Sequence, residues 1–240
     1  MAGYDLSLSS TGRIGPGSGA QIEAEGGYGL KLYGEYSKKE PFYGYLRGAL
    51  KATSSALVNS YETTLSFFPV GFIGLTYGHM NQFSNFNGFS FFPCKTEISC
   101  RGGIIRDYLQ YSFAIGSGNW FSTVKIKKAK NQYPKRDDNL GVGEFRYVTE
   151  VLAKEEVMNN EELVLGLKIN STISYVLLLE RNEFEKINRQ SYMNVLGRLQ
   201  TLKSEQFFIG LGNIQSSTLP NQATIIIQWK KFFKRGLSLF

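Results

Sequence analysis

The segment that most constrains the fold runs from Leu163 to Leu179, where apolar and polar residues alternate (LVLGLKINSTISYVLLL). Most odd positions are apolar, whereas several even positions, among them Lys168 and Asn170, are polar. A period of two is typical of a β-strand with one face in an apolar medium and the other in a polar one. Strands of soluble domains have about 5–6 residues, but a tilted strand needs about 9–11 to cross a bilayer. We therefore expect one long strand here, long enough to cross a membrane.

Similar alternation recurs along the whole chain between turn-forming segments. It predicts about twelve strands, within a range of about ten to fourteen because strand boundaries are soft. Short and longer connections alternate roughly, as in outer-membrane barrels with short periplasmic turns and longer outer loops. The longest connection, at about 81–104, is expected to be an outer loop. The predicted strands cover 3–11, 20–36, 42–52, 60–68, 71–80, 105–115, 120–129, 142–153, 163–179, 190–202, 206–214 and 222–233.

The hydropathy of the chain is compatible with membrane-crossing strands. Its mean hydropathy is −0.20, and no stretch approaches the ~18 consecutive apolar residues of a transmembrane helix. A soluble barrel or β-sandwich would show the same period of two. Long strands, charged residues and glycines in mid-strand on the polar face, and aromatic residues near strand ends favour a membrane barrel. We predict an all-β fold: one antiparallel transmembrane β-barrel domain covering residues 1–240.

The long alternating strands, the asymmetry of the connections and the terminal Phe240 resemble bacterial outer-membrane β-barrel proteins, whose last residue is typically Phe. The resemblance covers the whole chain but is one of pattern, and KFFKRGLSLF departs from it by breaking the alternation before Phe240. It implies an outer-membrane location, surrounded by membrane lipid and lipopolysaccharide. At this size it implies a small, monomeric, porin-like solute channel. The first residues (MAGYDLSLSS) have no signal-peptide regions, so we expect a mature exported form with an added initiator Met.

If the apolar faces contact lipid, the opposite faces line the lumen. There the basic candidates outnumber the acidic ones, which predicts a weak preference for anions. In the alternative, these charges pair across neighbouring strands and merely fill the interior, which would leave a plugged barrel. The basic candidates are Lys31, Arg47, Lys51, Arg106, Lys125, Lys127, Arg146, Lys154, Lys168, Arg198 and Lys230. The acidic candidates are Asp5, Glu23, Glu25, Glu35, Glu62, Glu144 and Glu150.

Two cysteines, Cys94 and Cys100, lie close together inside the predicted loop at 81–104. A local disulfide between them is expected, which implies an oxidising compartment, and two reduced thiols are the alternative. Two cysteines alone do not supply the ligands of a zinc site, so we expect no metal and no cofactor. The net charge of +7 is accompanied by no nucleic-acid-binding signature, and no nucleic-acid partner is expected.

The single histidine, His79, raises the question of an enzyme, because some outer-membrane barrels hydrolyse lipids with a His-x-Ser arrangement. Here residue 81 is asparagine, and no acidic residue stands obviously placed in the sequence to orient the ring. We therefore expect no enzymatic activity. The expected function is passive diffusion of small solutes, with anions preferred. A closed structural or adhesion barrel that acts through its outer loops is the alternative, and a lipid hydrolase is a third.

Overall fold

The computed structural model describes residues 2–15, 19–34, 42–55, 58–85, 98–99, 101–133, 140–145, 148–153, 155–215 and 221–235. In these parts of the chain the regular elements are strands, and no helix there is long and apolar enough to span a membrane. The strands are β1 (Ala2–Ile14), β2 (Gly19–Tyr33), β3 (Gly44–Ser54), β4 (Val58–Val70), β5 (Ile73–Asn85), β6 (Ile98–Ser99), β7 (Arg101–Ser117), β8 (Trp120–Gln132), β9 (Leu140–Phe145), β10 (Val148–Ala153), β11 (Glu155–Lys168), β12 (Ile173–Phe184), β13 (Arg189–Thr201), β14 (Glu205–Gln215) and β15 (Gln222–Lys234).

Twelve of these strands form a closed antiparallel barrel in the order β1-β15-β14-β13-β12-β11-β8-β7-β5-β4-β3-β2. The first and last strands close it, with pairs that run from Leu6 opposite Lys234 to Ile14 opposite Ile225. Both chain ends of the barrel, the start of β1 and the end of β15, lie at one rim, which we call the terminal end. The opposite rim is called the loop end. The predicted all-β barrel of about twelve strands is confirmed.

The outer surface of the barrel carries a belt of large apolar side chains. Leu65, Leu196 and Leu211 are 53%, 60% and 64% exposed, and their neighbours on the same face are apolar as well. A soluble protein rarely exposes so extensive an apolar surface, whereas transmembrane barrels present such a band to lipid. The belt therefore identifies the outer face as the lipid-facing face, as expected for a transmembrane barrel.

The segment 163–179 is not one strand but the two ends of a hairpin. β11 ends at Lys168, β12 begins at Ile173, and Asn170 stabilises the turn between them. Its Oδ1 accepts hydrogen bonds from the backbone N–H groups of Thr172 and Ile173, both at 2.9 Å. Lys168 pairs with Ser174, so paired residues of the two strands differ by an even number of positions. Because paired residues share a face of the sheet, the apolar residues stay at odd positions on both sides of the turn. Alternation alone therefore conceals the turn, and the prediction of a single strand is wrong.

Residues 142–153, predicted as a barrel strand, lie outside the barrel wall. β9 and β10 pair with each other, and β9 pairs in parallel with β6, which gives a separate three-stranded sheet. Residues 155–161, which the prediction leaves between two strands, belong to β11. The loss of 142–153 from the barrel and the division of 163–179 into two strands compensate, so the number of barrel strands agrees with the prediction. The predicted loop at 81–104 is also shorter, because β5 continues to Asn85 and β7 begins at Arg101.

Part of the barrel interior is filled by apolar side chains. One cluster lies on the inner faces of β12 to β15, and a second lies towards the loop end of β7, β8, β11 and β12. The first consists of Leu178, Met193, Val195, Ile214 and Ile226. The second consists of Ile104, Tyr108, Ala129, Tyr133, Met158 and Phe184. The polar part of the interior is therefore confined largely to the side of β2 to β8.

Glycines on the inner face make room for some of the aromatic rings. A Cβ atom at Gly74 would collide with the ring of Phe68, and one at Gly166 would collide with the ring of Phe121. Each ring therefore lies against the backbone of the neighbouring strand, which only glycine permits at so close an approach.

Candidate functional site: a charged cavity in the lumen

A polar cavity of about 520 Å³ lies inside the barrel. It follows the inner face of β3 from Tyr45 to Thr53 and that of β4 from Val58 to Phe68. At about 3.3 Å per residue and a strand tilt of about 40°, the β4 stretch covers roughly 25 Å along the barrel axis. The apolar band of a membrane barrel is about 25 Å tall. The cavity therefore extends along the barrel axis for most of the height of the lipid-facing belt.

Three aromatic side chains narrow the cavity at the terminal end. Tyr45 and Phe68 stack with ring centroids 4.4 Å apart, and Tyr43 stacks on Tyr45 at 5.9 Å. All three are buried, with Tyr43 fully so. Stacked rings in contact with each other hold their positions, so this rim of the cavity is a fixed constriction.

Arg47 connects three strands inside the cavity. Its Nη2 lies 2.6 Å from Asp5 Oδ1 on β1 and 2.7 Å from Glu25 Oε1 on β2, and its Nε donates to Asp5 Oδ2 at 3.0 Å. The Arg47 side chain is only 13% exposed. Bidentate contacts of this kind are stronger than neutral hydrogen bonds and hold the guanidinium in a single orientation.

A second charged group occupies the middle of the cavity. Lys51 Nζ lies 2.6 Å from Glu62 Oε2, and the Tyr108 hydroxyl donates to Glu62 Oε1. On the opposite wall, Lys125 Nζ donates to Glu162 Oε1 at 2.9 Å. Each of these carboxylates is thus held by a cation from a neighbouring strand, which offsets the cost of removing both charges from bulk water.

Lys127 has a different environment from these paired cations. Its Nζ lies 4.8 Å from the centroid of the Tyr108 ring. Within the described ranges, no carboxylate oxygen forms an ion pair with it at up to 4.0 Å. Lys230, also in the cavity wall, lies 5.2 Å from the centroid of the Phe232 ring. Ring faces attract cations without cancelling their charge.

The structure brings together six of the eleven basic residues that the sequence predicts in the lumen. These are Arg47, Lys51, Arg106, Lys125, Lys127 and Lys230. Arg106 is buried and donates from Nε to Asn131 Oδ1 at 2.6 Å. Lys31 and Lys168 lie beyond the cavity on inner faces at the terminal end: Lys31 stands opposite Tyr45, and Lys168 lies 5.8 Å from the Phe121 ring centroid.

Arg198 is a correction, because it lies on the outer face. Its register partners are Tyr175 and Ile209, which are 51% and 53% exposed in the apolar belt. In β13 the inner face is the apolar one, with Met193 and Val195 buried. The rule that polar positions face the lumen therefore fails in this strand.

Several other predicted residues fall outside the cavity wall or outside the described part of the chain. Glu144 and Glu150 belong to β9 and β10, which are not part of the barrel. The residues outside the described ranges are Arg146, Lys154, Glu35, Cys94 and Cys100, so the predicted disulfide stays a prediction. Within the described residues, no cluster of three or more His, Cys, Asp or Glu side chains is arranged to hold a metal ion.

Sequence reasoning missed two acidic residues of the cavity, Glu162 and Glu180. Both lie just outside the ends of the predicted strand at 163–179, so neither is among the predicted lumen-lining residues. With them, the described residues that line the cavity include six basic and five acidic side chains. The predicted excess of basic residues is therefore smaller than the sequence indicated. Placing the β11–β12 turn at Asn170 would have revealed both.

His79 lies on the outer face, and an acidic residue does orient its ring. His79 Nδ1 lies 2.7 Å from Asp107 Oδ1 on β7, and the Tyr77 hydroxyl donates to the same oxygen at 3.1 Å. The expectation that His79 lacks an acidic partner is corrected, because that partner comes from a strand 28 residues further along the chain.

No protein-family model matches the sequence, and no curated protein matches it. Solved structures match its fold. Outer-membrane expressed OmpT of Vibrio cholerae is 8% identical over 97% of this chain and 97% of that chain, with a TM-score of 0.50. The KdgM porin in complex with disordered oligogalacturonate is 9% identical over 95% of this chain and 99% of that chain, with a TM-score of 0.49. The β domain of the Bordetella autotransporter BrkA is 11% identical over 96% and 98%, with a TM-score of 0.48.

At these identities the likeness concerns the fold alone. The closed twelve-stranded barrel and its lipid-facing belt define the chain as a β-barrel of the bacterial outer-membrane type. No narrower family is defined by the comparisons.

Proposed function

We propose that this barrel is a narrow outer-membrane channel for passive diffusion of small polar solutes, with a weak preference for anions. The observation that carries the proposal is the polar cavity that follows β3 and β4 across most of the belt. Water molecules can be placed with their centres throughout this volume of about 520 Å³, which extends over roughly 25 Å along the barrel axis. The cavity is therefore wide enough for water and small ions.

The proposed anion preference depends on which basic side chains are paired with carboxylates and which are not, rather than on the number of basic and acidic residues. Arg47 holds Asp5 and Glu25, and Lys51 holds Glu62. Lys127 and Lys230 contact aromatic rings instead, so their positive charge acts on ions in the cavity. In a narrow pore with low-dielectric walls, even one or two such charges favour ions of the opposite sign.

The selectivity test compares two neighbouring lysines on opposite faces of β8. Lys127 lines the cavity, whereas Lys128 is 68% exposed on the outer face and lies 3.5 Å from Glu185. In planar bilayers with a KCl gradient, Lys127→Gln is expected to lower the anion-to-cation permeability ratio about twofold. Lys128→Gln is expected to leave the ratio at the wild-type value. Equal ratios for wild type and Lys127→Gln would contradict the assigned role of Lys127.

A closed barrel that acts through its outer loops is the second candidate. It is favoured by the apolar cluster at the loop end, where Ile104 and Phe184 are 2% and 0% exposed and fill part of the lumen. A barrel that inserts into bilayers but conducts no ions would support this candidate over the channel. Closure of β1 on β15 leaves no free sheet edge in the barrel wall, which fits a monomer in both cases.

A further inference from the structure

The outer wall of β1 to β5 contains a groove of about 300 Å³ within the lipid-facing belt. Small residues make its floor and larger apolar residues make its sides. The floor consists of Ala24, Gly26 and Ala52, and the sides consist of Leu6, Leu50 and Tyr61. Such a depression in a surface that contacts hydrocarbon has the shape and polarity to hold an acyl chain.

One end of the groove is polar, although it lies in the apolar outer face. Thr63, His79 and Asn81 line that end. Along β5, exposed apolar residues flank His79 and Asn81, with Leu75 on one side and Phe83 on the other. A polar group that faces hydrocarbon costs free energy unless it is hydrogen-bonded. Polar side chains in this position therefore need hydrogen-bond partners.

The polar groups at this end form a chain of hydrogen bonds. Because a carboxylate only accepts, the His79 ring donates from Nδ1 to Asp107, at 2.7 Å. The other ring nitrogen, Nε2, lies 3.2 Å from the amide nitrogen of Asn81, which donates to it. This arrangement directs one amide proton of Asn81 to the ring and leaves its second amide proton and its oxygen to interact with a ligand in the groove.

The groove follows one row of register neighbours across the wall. This row consists of Leu6, Gly26, Leu50, Thr63, His79, Asp107 and Lys130. Six strand spacings of about 4.8 Å separate β1 from β8, roughly 29 Å in all. Since the strands are tilted by about 40°, the row descends about 19 Å through the membrane, which is close to the ~20 Å of one leaflet with its headgroup region.

The polar end of this row is the end nearer the membrane surface. At β8, Lys130 lies beyond the last large exposed apolar side chain, Ile126, and its outer-face neighbour Lys128 is charged. At β1, Leu6 is 46% exposed and lies in the apolar belt. The row therefore starts near the headgroups and ends among the acyl chains.

We propose that this groove binds one phospholipid, with an acyl chain between Leu6 and Leu50 and its ester and phosphate oxygens at Asn81, His79 and Lys130. The charges favour a phospholipid over a multiply phosphorylated glycolipid. The row contains one carboxylate, Asp107, and one lysine, Lys130, directly opposite it. Several phosphates would require several cations in the same place. The site is separate from the lumen and does not depend on the barrel being open.

The test is titration of the delipidated barrel, in non-ionic detergent, with a palmitoyl-oleoyl phosphatidylethanolamine, followed by native mass spectrometry. Wild type is expected to show one saturable lipid adduct. Ala52→Phe fills the groove, and the double variant His79→Ala with Asn81→Ala removes its polar end. Each is expected to reduce occupancy of the first adduct about tenfold. Ala223→Phe, the same substitution at an exposed residue of β15, is the matched control and keeps the wild-type occupancy.

Two results would overturn the proposal. One is equal adduct occupancy in Ala52→Phe and Ala223→Phe. The other is a lipid A adduct that forms at lower concentration than the phospholipid adduct and displaces it. Circular dichroism of each variant verifies the barrel, and the His79 and Asn81 substitutions, which only shorten exposed side chains, test the site even if Ala52→Phe does not fold.

Discussion

Arg47 is the residue whose removal we expect to disturb the barrel interior most. It holds Asp5 and Glu25, whose side chains are 14% and 24% exposed, with contacts of 2.6 and 2.7 Å. Removing one partner of a buried ion pair leaves an uncompensated charge and costs about 3–5 kcal/mol. Arg47 lines a polar cavity wide enough for water, so we expect a smaller cost here.

We expect Arg47→Ala to lower the free energy of unfolding by about 2–3 kcal/mol. Arg181→Ala is the control, because Arg181 is 41% exposed and pairs with Glu183 at 3.3 Å on the outer face. An exposed pair of this kind contributes about 0–1 kcal/mol. Urea unfolding in lipid vesicles measures both, and equal losses would contradict the buried role of Arg47.

The lipid-facing belt makes a separate prediction at Leu196. Its register neighbours on the outer face are Leu177 and Leu211, so it lies well inside the belt. Leu196→Arg is expected to cost about 2–4 kcal/mol, because a cation near the bilayer midplane loses its hydration. Gln200→Arg, close to the terminal end of the same strand, is expected to cost about 0–1 kcal/mol.

The measurement at Leu196 is the folded fraction after refolding into vesicles, read as a function of urea concentration. Equal stability of Leu196→Arg and Gln200→Arg would show that Leu196 does not face lipid. The native Arg198 lies between these two positions on the same face, where an arginine side chain can extend towards the interface.

At the scale of elements, the turn between β11 and β12 depends on Asn170. Its side-chain oxygen accepts three hydrogen bonds, two from backbone N–H groups and one from the Thr172 hydroxyl. We expect Asn170→Ala to reduce the free energy of unfolding by about 1–2 kcal/mol, because these N–H groups lose their acceptor. Ser171→Ala, one residue further, is expected to change it by less than about 0.5 kcal/mol. Urea unfolding distinguishes the two, and a neutral Asn170→Ala would mean that the turn forms without this side chain.

The same turn explains why the sequence predicts strands along most of the chain but not all of their boundaries. Alternation revealed that nearly every segment is a strand, since a period of two is a local property of the sequence. It did not reveal the turn at Asn170, because the paired residues on either side of that turn, such as Lys168 and Ser174, differ by an even number of positions, so the apolar residues stay at odd positions. Nor could it distinguish the β9–β10 hairpin from a barrel strand, because that depends on which strand β8 pairs with, and this strand is β11.

At the scale of the whole molecule, the sequence predicted the class of fold but only part of the lumen. Alternation shows that a strand has two faces without showing which one points inward. In β8 the polar face points inward, and Lys125 and Lys127 line the cavity. In β13 the apolar face points inward, so Arg198 lies on the outer face, opposite Ile209. Val195 and Ile226 belong to an apolar cluster from four strands that fills one side of the barrel. These strands come together only when the barrel closes, so the alternation within each strand could not predict the cluster.

This filling determines what the barrel can conduct. The apolar clusters occupy one side of the lumen, and the charged cavity along β3 and β4 is the remaining polar path. Transport through the barrel therefore depends on whether this path is continuous from the loop end to the stacked Tyr45 and Phe68 at the terminal end.

The most direct test is single-channel recording of the purified barrel in a planar bilayer under a KCl gradient. The account predicts small, steady conductance steps and a reversal potential on the anion-selective side of zero. Insertion verified by protease protection, without any conductance steps, would contradict it and would show that the cavity is closed.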